Sequence, residues 1–137
     1  MTRTAHAVWS GALKNGSGRI DSQSGGLNHT SYSFGTRFED AVGVNPEELI
    51  AAAHASCFSM ALSAQLGERG ITPETVATTA SITFENLTLT KSHLEVVVKA
   101  PGADQEKFKE AANAAKSGCP ISKVLNLEIT MDARLEA

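Results

Sequence analysis

The chain lacks a basic run. Its 12 Lys and Arg are outnumbered by 15 Asp and Glu, for a formal net charge of −3 and a pI near 5.8. Nothing here builds the positive field that nucleic acid would require, so no nucleic acid partner is expected. The N-terminal MTRTAHAVWSG lacks the apolar core of roughly 7–15 residues that a secretory signal needs. The most apolar stretch, Leu49 to Leu66, is interrupted by His54, Ser56, Ser59, Ser63 and Gln65, which argues against a membrane span. A cytoplasmic protein without a membrane partner is expected. Aromatic residues are scarce, at 5%, and the many alanines imply close packing of small side chains. Cysteine occurs only twice. In a reducing compartment two cysteines do not make a permanent staple, and counting alone favours two buried free thiols. There is no C-x-x-C, no G-x-G-x-x-G and no P-loop, so the redox-helix and nucleotide readings lack their motifs.

What is present organises itself as a single domain, 1–137, by size. Short strands are expected at Ala7–Trp9 and Arg19–Asp21, folded back on each other across the Asn15-Gly16 turn pair. Tyr32 and Phe34 alternate with serines, as a half-buried strand would. Asn45 suits a helix cap, Pro46 the first helical position, and Glu47 and Glu48 the positive end of the helix dipole. That helix is expected to run to about Gly67. One stripe reads Leu49, Ala53, Cys57, Met60 and Ala64, and a second side carries Ile50, Phe58, Ala61 and Leu62. A helix so apolar around its circumference should be buried on several sides, which suggests a dimer with the helix near the interface.

After Pro73 the period changes. Val76, Thr78, Ala80, Ile82 and Phe84 share one face of a strand, and Leu94, Val96 and Val98 share a face of another. Asp104 suits the cap of a helix through about Ser117, with Phe108, Ala111, Ala112 and Ala115 inward and Gly118 as its stop. Cys119-Pro120 opens a short helix through Leu125, and Leu127 to Leu135 alternate as a last strand. Strands grouped before and after helices predict an α+β fold with a mainly antiparallel sheet packed on central helices.

The candidate chemistry centres on the cysteines. Cys57 lies too deep in its helix for the dipole to lower its pKa, and burial alone raises it. A reactive thiolate there needs a cation from outside the helix. Arg37, in the segment TRFED, is a candidate because a guanidinium stays charged when buried and fork-binds carboxylates; an ordinary surface arginine is the alternative. At about 100° per residue, Glu48 lies about 180° around the axis from Cys57 and Glu47 about 80°. The rise of about 15 Å over ten residues prevents Glu47 from touching Cys57 in a straight helix. Glu47 would then hold Arg37, or the helix breaks, or a partner subunit contributes. Cys119 sits at a helix start, where backbone N–H groups favour a thiolate, or it simply caps that helix. His54 precedes Cys57 by three residues and makes half a zinc site with it, but no second pair at metal spacing exists and no metal is expected.

The run NPEELIAAAHASCFSMAL (Asn45 to Leu62) resembles the signature helix of the OsmC/Ohr hydroperoxide reductases, and GCPISKVL (Gly118 to Leu125) resembles their second cysteine motif. GGLNHTSYSFGTRFED and EITMDARL extend the resemblance over nearly the whole chain, nearer the OsmC branch than the Ohr branch. The resemblance implies an OsmC-like fold in an intertwined homodimer with sites at the subunit interface. It implies Cys57 as the peroxidatic cysteine, Cys119 as the resolving cysteine, and Arg37 and Glu47 as the catalytic arginine and glutamate. It implies organic hydroperoxide substrates, an external dithiol reductant of lipoyl type, no cofactor, and a role against oxidative and osmotic stress. A non-enzymatic stress protein that binds a hydrophobic ligand and a thiol redox sensor are the rival readings.

Overall fold

Glycine turns and short alternating segments make the first part of the chain a sheet in the computed structural model, which describes residues 1–137. The chain divides into two compact units, Met1–Leu49 and Ile50–Ala137. In the first, β1 (Ala5–Ser10), β2 (Ser17–Ser22) and β3 (Thr30–Tyr32) pair antiparallel in that order. Gly18 lies where β2 passes under the Tyr32 ring, and a Cβ there would collide with it. The strand expected to continue through Phe34 stops at Tyr32. Ser33 accepts the Thr36 amide and Thr36 Oγ1 accepts the Ser33 amide, a reciprocal cap that starts α1 (Phe34–Phe38) instead.

The long helix α2 (Pro46–Glu68) begins where its signals place it. Asn45 Oδ1 accepts the Glu48 amide at 2.8 Å, and the Asn45 side-chain amide donates to the Thr36 carbonyl at 2.9 Å. The helix is long and apolar enough to cross a bilayer by length and composition. Its role here is different: His54, Phe58, Leu62 and Leu66, spaced four apart, are completely buried in a core.

In the second unit β4 (Thr75–Glu85), β5 (Thr88–Lys99) and β6 (Glu128–Glu136) form a sheet in that order. β4 and β5 are antiparallel, joined by Asn86 and Leu87, both with positive φ, as the two-residue hairpin twist demands. β5 and β6 are parallel, which the expectation of a mainly antiparallel sheet had not specified. Parallel neighbours need a crossover, and α3 (Gln105–Gly118) with α4 (Pro120–Val124) supplies it. Asp104 caps α3 by accepting the Lys107 amide at 2.9 Å. Phe108, Ala111, Ala112 and Ala115 are its buried residues.

The core gathers Phe58, Leu62 and Leu66 of α2, Leu94, Val96 and Val98 of β5, and the inner face of α3. Burying each large side chain contributes about 1.5–3 kcal/mol. The α2 stripe expected to be buried through Met60 and Ala64 is not: Met60 is 78% exposed, while Phe58 is 0% exposed. One side of the helix meets the core of the second unit, with Cys57 partly buried at its margin.

Candidate functional site

Two groups of side chains carry chemistry, one in each compact unit. In the first unit, α1 presents Arg37 and the first turn of α2 presents Glu47. The Asn45–Thr36 bond ties the two segments together. Arg37 Nη2 donates to Glu47 Oε1 at 2.9 Å and Nε donates to the same oxygen at 3.2 Å. Glu47 is buried and Glu48 exposed, so the acid on the inner side of the turn meets the guanidinium. The Arg37 guanidinium also lies 5.4 Å from the Phe38 ring centre, a cation–π distance. Trp9, Leu13, Tyr32, Phe34 and Phe38 line a cavity of about 200 Å³ with Ser33 and Arg37. Four of the seven aromatic residues thus gather at one place. A charged fork in an aromatic-walled hollow can bind the polar end of a largely apolar molecule.

In the second unit, α2 and the α3–α4 junction bring the two cysteines together. Cys57 and Cys119 stand with their Sγ atoms 2.9 Å apart, both as free thiols. This is inside van der Waals contact, and joining the sulfurs requires only a further approach to about 2.05 Å. Cys119 is completely buried and Cys57 partly so. Burial pushes the Cys57 thiol above its ordinary value, and the neighbouring Cys119 adds to the rise, against a smaller opposing effect of the Ile121 amide. Cys119 goes the other way. Burial pushes it up, but hydrogen bonding with Cys57, the Ser122 amide and hydroxyl, and the Ile121 amide together outweigh burial and bring it down. Within this pair the negative charge is better held on Cys119 than on Cys57.

His54 does not serve as a direct base for Cys57. Its Nδ1 lies 2.7 Å from Ser92 Oγ and its Nε2 2.8 Å from Ser122 Oγ, so both nitrogens have partners. Burial lowers its pKa, which keeps the imidazole neutral. The sequence reading did not single out Ser92 or Ser122. Ser92 had a signal: it occupies the inward parity of β5 shared with Leu94, Val96 and Val98, where a polar residue needs a partner. Ser122, three residues after Cys119, gave no comparable sign. On the outward face of the second sheet, His93, Glu95 and Asp132 lie with their ligand atoms within 4.8 Å of one another, and Thr130 Oγ1 holds the His93 Nδ1 at 2.6 Å. Glu95 and Asp132 there are exposed.

A family model described as OsmC-like protein matches residues 38–134. Peroxiredoxin OsmC of Escherichia coli (strain K12) is 46% identical over 139 residues of alignment, covering 98% of this chain and 97% of its own length. Organic hydroperoxide resistance protein OhrB of Bacillus subtilis (strain 168) is 32% identical over 121 residues, covering 87% and 88%. Among solved structures, the crystal structure of an OsmC like protein from Mycoplasma pneumoniae superposes with a TM-score of 0.77 at 15% identity, covering 100% of this chain and 99% of that one. At that identity the likeness speaks for the fold.

Proposed function

The chain belongs to the OsmC family, and on that premise we propose that it is a thiol peroxidase reducing organic hydroperoxides to alcohols. The observation that carries this reading is the contact of two free thiols at 2.9 Å. The names of its relatives, a peroxiredoxin and an organic hydroperoxide resistance protein, support the same reaction class.

In the proposed cycle the Cys57 thiolate attacks the terminal peroxide oxygen. An S–O bond forms, the O–O bond breaks, and the alkoxide leaves and takes a proton as the alcohol. Arg37 stabilises the thiolate and the charge developing on the oxygens, and Glu47 orients Arg37. Cys57 is left as a sulfenic acid. Cys119 then attacks its sulfur: the S–S bond forms, the S–O bond breaks, and hydroxide leaves with the thiol proton as water. An external dithiol, of lipoyl type in this reading, restores both thiols by exchange. The cycle as written calls on no metal, flavin or haem. The aromatic hollow beside Arg37 supports an alkyl or aryl hydroperoxide over small polar hydrogen peroxide.

The proposal extends to the whole chain, residues 1–137, working as one functional domain in a cytoplasmic homodimer that protects against oxidative and osmotic stress. Support for the dimer comes from apolar residues left uncovered, Val8 on β1 and Met60 on α2. Turnover tests the activity. With excess dithiol, the protein should consume many equivalents of cumene or tert-butyl hydroperoxide, and Cys57→Ser should abolish this. A ligand-binding protein or redox sensor would stop near one equivalent, and undiminished turnover in Cys57→Ser would remove Cys57 from the mechanism.

A further inference from the structure

Three polar side chains stand together in the apolar core of the second unit. His54 and Ser92 are 0% exposed and Ser122 is 7% exposed. They come from three separate elements: α2, β5 and α4. Burying polar groups is costly unless each finds a partner, and here each does. Ser92 bonds the His54 Nδ1 and Ser122 bonds the Nε2. No buried side-chain nitrogen or oxygen is left without a partner. Ser122 stands in the first turn of α4, three residues after Cys119, the residue that opens that helix. Cys119 in turn meets Cys57. The order is therefore Ser92, His54 and Ser122, bonded in turn, and then Cys119 and Cys57, from the sheet to the cysteine pair.

We propose that Ser92, His54 and Ser122 form a positioning chain that aims the Ser122 hydroxyl at Cys119 and sets the rate at which Cys119 resolves the oxidised Cys57. The inference rests on the resolving role proposed above for Cys119. A neutral imidazole has one donor and one acceptor nitrogen, so its two serine partners are not equivalent. With the proton on Nδ1, His54 donates to Ser92 and accepts from Ser122, leaving a Ser122 lone pair to accept from the Cys119 S–H. With the proton on Nε2, His54 donates to Ser122, whose O–H is then free to donate to the Cys119 thiolate. The second arrangement requires Ser92 to donate to Nδ1, which its hydroxyl can do. The chain can thus reverse the direction of its hydrogen bonds while both imidazole nitrogens keep a partner. It supplies no net proton. The thiol proton of Cys119 departs with the hydroxide of the sulfenic acid as water, and the chain only favours the anion that attacks.

The titratable groups facing Cys119 are Cys57 directly and His54 through Ser122, both from α2. Removing Cys57 isolates the second influence. In Cys57→Ser protein, Cys119 is the sole cysteine, and its ultraviolet thiolate absorbance can be titrated. Adding Ser122→Ala should raise the midpoint by about one unit, a tenfold loss of thiolate below it. Adding Ser92→Ala should raise it in the same direction, although the bond it removes is to the far nitrogen of His54. Ser92→Thr, which keeps a hydroxyl, should restore the midpoint. In the two-cysteine protein, Ser122→Ala should slow disulfide formation about tenfold after a stoichiometric dose of cumene hydroperoxide. Should Ser122→Ala fail to fold, the Ser92 pair alone decides. A midpoint that Ser92→Ala leaves where it was, in folded protein, overturns the chain. A shifted midpoint with no disulfide formed in the two-cysteine protein would instead count against Cys119 as the resolving thiol, so the two failures are distinguishable.

Discussion

Cys57 faces an adverse local environment for an attacking group. Burial raises its pKa, and a second thiol in contact raises it further, so at neutral pH little of it is ionised within its own unit. The same was legible in the sequence, from its depth in an apolar helix beyond the reach of the dipole. A cation must reverse the shift, and in the proposed cycle that cation is Arg37, which Glu47 holds. The sign follows directly. A nearby positive charge favours the thiolate and moves the reactive range down in pH; its removal moves the range up. Arg37→Ala should therefore shift the pH profile of Cys57 alkylation upward by about one unit or more, read by peptide mapping of iodoacetamide adducts. An unshifted profile would place the cation elsewhere. Glu47 was separable from Glu48 by helical geometry alone. The serines around His54 were not, because a hydrogen bond between residues 38 and 68 positions apart leaves no periodicity to read.

The elements were the most legible level. The Asn45-Pro46 start of α2 and the Asp104 cap of α3 are local chemistry, decided within a turn, and both stand where the sequence places them. α1 was missed because a capping box of Ser33 and Thr36 competes with serine alternation for the same residues. The face of α2 was misjudged for a different reason. Cys57 and Met60 continue an apolar stripe in sequence, but the fully buried side carries His54, Phe58, Leu62 and Leu66, Cys57 is partly buried at its margin, and Met60 is exposed. An exposed apolar side chain such as Met60 is what a second subunit would cover. Met60→Asp should therefore weaken self-association while leaving the second unit's core intact. Sedimentation of the native protein at twice the chain mass, with Met60→Asp shifted toward the single-chain mass, is expected; a native protein that sediments as a single chain at all concentrations would refute the dimer.

At the scale of the whole molecule, the α+β class was readable from the grouping of strands and helices. The parallel pairing of β5 and β6 was not, because pairing partners and direction depend on the path of the crossover and not on the pattern of either strand. That path matters for function. The crossover that lets β6 run beside β5 is the segment that ends α3 and opens α4 at Cys119, and it returns this sulfur to α2 across 62 positions of sequence. The fold therefore does for the two cysteines what neither one's neighbours could do alone. The most direct measurement is the mass of the reduced protein after one equivalent of cumene hydroperoxide, followed by peptide mapping without reductant. The account predicts loss of two hydrogens and a peptide linked through Cys57 and Cys119. Protein that stays reduced, or oxidises at Cys57 without ever linking to Cys119, would contradict it.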